Sequence, residues 1–229
     1  MKVILISGAN RGIGRQIAEK LLTEGYALSL GVRTPESLDD SKFSNHDRVL
    51  IHPYEATDKQ SHISWVQATI DRFGKIDGVI NCAGVLTRLQ FEEDNEEELD
   101  RVWDINVKAP WRLTREAFPY LKKSGEGRVV NIVSMSGKRV KGVLAGYSAS
   151  KFAFLALNQS MRNVGWDDGI RVTAICPGFV NTDMASEVQS VAPEKMTQPE
   201  DVAQVVAMVL RLPNTAHIDE ICIKFNLEK

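Results

Sequence analysis

Ser7-Gly8-Ala9-Asn10-Arg11-Gly12-Ile13-Gly14 stands between a short apolar run, residues 2–7, and an amphipathic segment, residues 13–24. Glycines let a backbone turn sharply and come close to a bound group. A helix that opens straight after them presents unpaired N–H groups to an anion. A glycine cluster alone is weak evidence, but between a strand and a helix it reads as the pyrophosphate cradle of a dinucleotide site. Gly8, Asn10, Arg11, Gly12, Ile13 and Gly14 are then its lining. The spacing is G-x-x-x-G-x-G, not the more usual G-x-G-x-x-G.

The same alternation continues along the chain. Short β-branched runs at 2–7, 27–32, 48–52, 78–81, 128–134, 170–176 and 221–225 are mostly apolar throughout, the mark of parallel strands covered on both faces. Helical patterns lie between them at 13–24, 59–73, 96–123, 148–164 and 200–212. This predicts one doubly wound α/β Rossmann-type domain over residues 1–229, a parallel sheet of about seven strands with helices on both faces. Ligands of such a sheet sit at the strands' carboxyl ends. The 229 residues suffice for one such domain. A short lid is expected at about 183–198, where Met184 and Val188, with Leu144, either line an apolar pocket or pack.

The net charge of −2 gives no global field for nucleic acid or an anionic membrane, so neither is expected as a partner. The apolar start is too short for a signal peptide, no window is long enough to span a membrane, and the expected location is cytoplasmic. Cys82, Cys176 and Cys222 are odd in number and lie in strand-like contexts, which reads as reduced core thiols. The four histidines are scattered, and no metal site is expected. The acidic run 92–98 lacks the spacing of a calcium loop and reads as a solvated helix start.

At the end of the second strand, Leu30-Gly31-Val32-Arg33-Thr34 has no carboxylate for a ribose 2′-hydroxyl: Val32 holds that place and Arg33 adjoins it. Arg11 and Arg33 together suit a dianionic 2′-phosphate. The expected cofactor is NADP(H), with NAD(H) possible.

Gly146-Tyr147-Ser148-Ala149-Ser150-Lys151 opens another helical segment. Tyr147 and Lys151, four apart, share one helical face. An ammonium about 5 Å from a phenol, at an effective dielectric near 20, favours the phenolate by roughly 3 kcal/mol. That equals about 2 pKa units, which would bring the phenol towards neutral pH.

Taken with the glycine loop, the chain resembles the short-chain dehydrogenase/reductase family, typical single-domain subgroup, from residue 1 to about 183 and more loosely beyond. Ser7–Gly14 matches the family's glycine loop, with serine in place of the usual threonine. Asn81-Cys82-Ala83-Gly84 matches its Asn-Asn-Ala-Gly turn, with cysteine second. Asn106 stands where the family keeps a helix-bending asparagine, and Ser134 precedes Tyr147 by the family's thirteen residues. Pro177-Gly178-Phe179-Val180-Asn181-Thr182 matches its Pro-Gly-x-x-x-Thr segment.

The resemblance implies interconversion of a small carbonyl and alcohol by hydride transfer. Tyr147 would be the acid–base. Lys151 would lower its pKa and bond the nicotinamide ribose, and Ser134 rather than its neighbour Ser136 would hold the substrate oxygen. Asn106 would position a relay water. Pro177, Gly178, Val180 and Thr182 would border the carboxamide, and Asn81, Ala83 and Gly84 the adenosine side. Glu55-Ala56 departs from the usual Asp-Val at the adenine contact. The usual glycine-rich C-terminal segment is missing as well, although the helices in 96–123 and 148–164 predict a homodimer or homotetramer. The alternative is a cofactor-sensing protein of the same fold without turnover.

Overall fold

The computed structural model describes residues 1–39, 42–140, 142, 144–186, 188 and 190–225. Seven strands form one sheet: β1 (Val3–Ser7), β2 (Ala27–Val32), β3 (Val49–Pro53), β4 (Gly78–Asn81), β5 (Arg128–Ile132), β6 (Arg171–Pro177) and β7 (Glu220–Ile223). Their order is β3-β2-β1-β4-β5-β6-β7, and every pair is parallel. The order reverses between β1 and β4, which opens a crevice at their carboxyl ends.

Six α-helices cover the sheet: α1 (Gly12–Thr23), α2 (Lys59–Phe73), α3 (Glu96–Trp103), α4 (Ala109–Ser124), α5 (Ala145–Gly165) and α6 (Pro199–Arg211). On one face Ile17, Ala18 and Leu21 of α1 meet Val202, Ala203 and Val206 of α6 over Ile4, Ile6 and Leu28. On the other, Trp65 of α2 and Leu113, Ala117 and Leu121 of α4 cover Leu5, Val79 and Val129. Phe154 and Leu155 of α5 cover Val133 and Ala174. With helices on both faces, β1, β2, β4 and β5 are buried along their whole length, and the edge strands β3 and β7 are half-exposed.

Local chemistry accounts for the helix ends. Asp58 caps α2 by accepting from the Gln60 N–H, and Gly74 closes it in the left-handed region at φ 73°. Asn95 caps α3 by accepting from the Glu98 N–H, so the acidic run is a helix start, with Glu96, Glu97 and Glu98 in the first turn. The 96–123 pattern is not one helix. A π turn, Asp104–Lys108, separates α3 from α4 and holds Asn106. β5 also ends earlier than expected, because Ser134 turns into a short 3-10 turn, Met135–Gly137.

A hydrogen-bonded row of buried side chains crosses the sheet on the α4–α5 face. The Asn81 amide donates to Thr114 Oγ1 (2.9 Å) and to Asn131 Oδ1 (2.8 Å). The Asn131 amide donates to Asn158 Oδ1 at 2.9 Å. The cysteine expectation holds in part: Cys176 is buried and Cys82 half-buried, but Cys222 is exposed, since its strand is the sheet's edge. Among the described residues no helix is long and apolar enough to cross a membrane.

Candidate active site

The glycine loop lies at the carboxyl end of β1. Gly8 and Gly12 take left-handed φ values of 71° and 53°. A Cβ on Gly14 would stand 2.2 Å from the Gly8 carbonyl oxygen, and one on Gly8 3.0 Å from Ala83 Cα. Arg11 occupies the cap position of α1 in an extended conformation, with no side-chain cap and no acid in the first turn. The leading N–H groups of α1 are therefore available to an anion. Ile13 packs against the core and Asn10 sits half-exposed in the turn. These residues fit a nucleotide pyrophosphate.

Ser7 joins this loop to the turn after β4, its Oγ accepting from the N–H groups of Cys82 (3.0 Å) and Ala83 (3.1 Å). Ala83 packs on Gly8. The Asn81 amide N–H groups are committed to the buried row, while its Oδ1 is buried without a hydrogen-bond partner. A Cβ on Gly84 would stand 3.3 Å from Asn106 Oδ1 and 3.7 Å from Lys151 Nζ, so it lies at the Lys151 end of the crevice.

Val32 is 2% exposed within the core, so it does not face a ribose as the sequence suggested. Arg33, exposed just beyond it, is the residue presented at the mouth of the crevice. Arg11 is exposed too, and its guanidinium pairs with Asp183 at 3.1 Å. At the third strand's end Glu55 Oε1 accepts from the Thr57 N–H (3.2 Å) and Oγ1–H (3.1 Å). The Ala56 carbonyl meets Nε2 of the buried His62 at 3.1 Å.

At the other end of the crevice, the first turns of α5 bring Tyr147 and Lys151 into the interior. The Ser134 hydroxyl stands near enough to the Tyr147 phenol to lower its pKa, and Ser134 Oγ accepts from the Ser136 N–H at 3.0 Å. The expected serine thus faces the tyrosine, with Ser136 contributing only its backbone. Asn106 Oδ1 accepts from the Val85 N–H (2.9 Å), and its amide donates to the Val85 carbonyl (2.9 Å) and to Ser150 Oγ (3.0 Å). Ser150 donates to the Tyr147 carbonyl at 2.7 Å, which links the π turn to α5.

The electrostatics differ from the expectation for the Tyr147–Lys151 pair. Burial pushes the Tyr147 phenol above its ordinary pKa, and the nearby Ser134 hydroxyl pulls it part of the way back. Burial also brings Lys151 down to about 8. Lys151 Nζ lies 5.7 Å from the centre of the Tyr147 ring and donates to the Ile132 carbonyl at 3.2 Å. Its hydrogen bond thus goes to a carbonyl and not to the phenol, and desolvation dominates both groups.

After β6, the Gly178 N–H donates to the Ile223 carbonyl at 2.8 Å, and buried Val180 bridges to Thr197. A Cβ on Gly12 would lie 3.2 Å from Thr182 Cγ2, so the Pro177–Thr182 segment closes on the glycine loop. Beyond it, Val191, Met196 and Phe225 form a small separate core, with Val188 packed against them and Met184 exposed. Glu187 and Gln189 lie outside the described residues. Leu144 is the half-buried residue before α5. Four contributors carried no signal in the sequence: His62 behind Ala56, Ser150 behind Asn106, and Thr87 and Leu89, which pack where a Gly146 side chain would be.

Known proteins similar to this chain agree with the geometry. It is 40% identical over 226 residues to the agropine synthesis reductase of Rhizobium rhizogenes, covering 97% of this chain but 53% of that protein. The chain thus spans about half the length of that relative. An alcohol dehydrogenase from the archaeon Thermococcus sibiricus, solved with 5-hydroxy-NADP, superposes with a TM-score of 0.87 at 28% identity, covering 100% and 98% of the two chains. A 3-ketoacyl-(acyl-carrier-protein) reductase from Brucella melitensis, solved with NADH, shares the fold with a TM-score of 0.89 at 23% identity, over 97% and 96%. The model of the short chain dehydrogenase family matches residues 2–192. The chain belongs to the short-chain dehydrogenase family of oxidoreductases.

Proposed function

We propose that this chain interconverts a small-molecule carbonyl and an alcohol with NADP(H), Tyr147 acting as the acid–base. The observation that carries the reading is the placement of Ser134 by the Tyr147 phenol, with Lys151 and Asn106 meeting at Gly84, at the same strand ends that carry the glycine cradle. The cofactor supplies or accepts the hydride. In the direction of reduction, Ser134 donates a hydrogen bond to the substrate oxygen and Tyr147 Oη delivers its proton to that oxygen. Two donors aimed at developing negative charge lower a barrier by a few kcal/mol. A phenol held protonated by burial suits the donor's part.

Lys151 anchors the cofactor ribose and, with a pKa near neutrality, passes a proton back to the phenolate. Asn106 spends its side chain on Val85 and Ser150, so a relay water would be held by its main chain. Gly84 gives the ribose its clearance over Lys151, and Val180 and Thr182 border the nicotinamide. For the 2′-phosphate, support comes from exposed Arg11 and Arg33 and from the absence of an acid at the end of β2. Residues 183–198 act as the lid of the single domain. The large apolar residues exposed on α3, α4 and α5 (Leu99, Trp103, Trp111, Phe152) support a homodimer or homotetramer. Free thiols suit a cytoplasmic location.

The test is Tyr147→Phe, assayed by NADPH consumption against a panel of carbonyls. Turnover should fall at least a hundredfold, on the order expected when a general acid is lost, while NADPH affinity stays near wild type. A variant retaining more than about a tenth of the rate would place the acid–base elsewhere.

A further inference from the structure

The Arg11–Asp183 ion pair joins the two walls of the cofactor crevice. Arg11 comes from the glycine loop and Asp183 from the segment after β6, 172 residues later. The pair stands directly beside the cradle, because the preceding residue, Thr182, sits 3.2 Å from where a Gly12 side chain would begin. Asp183 is held in place by its carbonyl, which accepts from the Ser186 N–H (3.2 Å) and Oγ–H (2.8 Å). Both charged side chains are largely exposed, at 66% and 74%. Arg33, by contrast, has no acidic partner among the described residues.

We propose that Asp183 is a specificity-determining residue for the cofactor: it holds the Arg11 guanidinium in an ion pair that a 2′-phosphate must displace, and so sets how strongly the phosphate-bearing cofactor is preferred. The inference rests on the NADP(H) reading above. An exposed pair is weak and exchanges readily. A phosphate dianion offers a guanidinium two charge-assisted hydrogen bonds and wins the exchange. A 2′-hydroxyl carries no charge and leaves the pair intact. Asp183 therefore acts against NADP(H) and is neutral towards NAD(H).

The experiment is fluorescence titration of NADPH and NADH, at one ionic strength, against wild type, Asp183→Asn, Arg11→Met, Arg33→Met and the Arg11→Met/Asp183→Asn double variant. Asp183→Asn should tighten NADPH by about 2- to 5-fold, the scale of a removed surface pair, and leave NADH unchanged. In the Arg11→Met background the same change should move NADPH by less than about twofold, since no pair remains to break. Equal shifts for both cofactors, no shift, or an undiminished gain without Arg11 would each overturn the inference. If the arginine variants lose selectivity while Asp183→Asn changes nothing, only this inference falls. If wild type binds both cofactors equally, the NADP(H) reading falls, and an NADPH preference appearing in Asp183→Asn would still uphold the role of the pair.

Discussion

The Lys151 ammonium lies 5.7 Å from the centre of the Tyr147 ring and gives its hydrogen bond to the Ile132 carbonyl, not to the phenol. The two groups share a helical face, yet each answers chiefly to its own burial. The lysine is moved down and the tyrosine up.

The lysine's burial sets a pH dependence of stability. Its pKa is 10.5 in the unfolded chain and about 8 when folded. Below pH 8 both states carry the charge and the burial penalty is felt in full. Between pH 8 and 10.5 the unfolded chain binds more protons, so stability from this group rises with pH. In urea unfolding, wild type should gain relative to Lys151→Met between pH 7.5 and 10, by an amount on the order of 2 kcal/mol. A constant difference across that range would show that the ammonium is not desolvated.

Gly14→Ala should abolish cofactor binding. Its Cβ would meet the Gly8 carbonyl at 2.2 Å, which forces the loop open where the cradle must stay closed. The strain should also lower stability by about 1–3 kcal/mol. Cofactor titration and thermal unfolding read the two effects separately, and wild-type NADPH affinity in the variant would sink the cradle assignment.

Light scattering should give a mass two or four times the chain's 25.5 kDa at micromolar concentration. Trp111→Glu, which places a charge on an exposed aromatic position of α4, should shift that mass towards the single chain. A wild-type protein that runs as one chain would show that the exposed tryptophans have another use.

Strand positions were legible because β1, β2, β4 and β5 are buried on both faces and their residues are mostly apolar. The break at Asn106 was not legible from periodicity, since a single π turn shifts the phase of the apolar stripe by only one residue; only the family resemblance pointed to it. Spacing placed Tyr147 and Lys151 on one face but says nothing of where a long flexible side chain points its charge, and desolvation decided the outcome. Val32 was misplaced for a similar reason: being last in a strand does not reveal which way the side chain faces. Asp183 and His62 act through contacts that come only with the fold, Asp183 across 172 residues.

The buried amides of Asn81, Asn131 and Asn158 bear on how the chain finds its strand pairing at all. Apolar parallel strands are interchangeable to the hydrophobic effect, so sliding β5 against β4 by two residues would still bury valine and isoleucine. Such a slip would strip Asn81 and Asn131 of each other and of Thr114 and Asn158. Each orphaned polar group costs about 1–3 kcal/mol inside a dry core. With several orphaned together, the penalty approaches the whole stability of a domain. The polar row thus acts as a key that only one alignment of the central strands turns, and the crevice at their ends inherits its shape from that alignment.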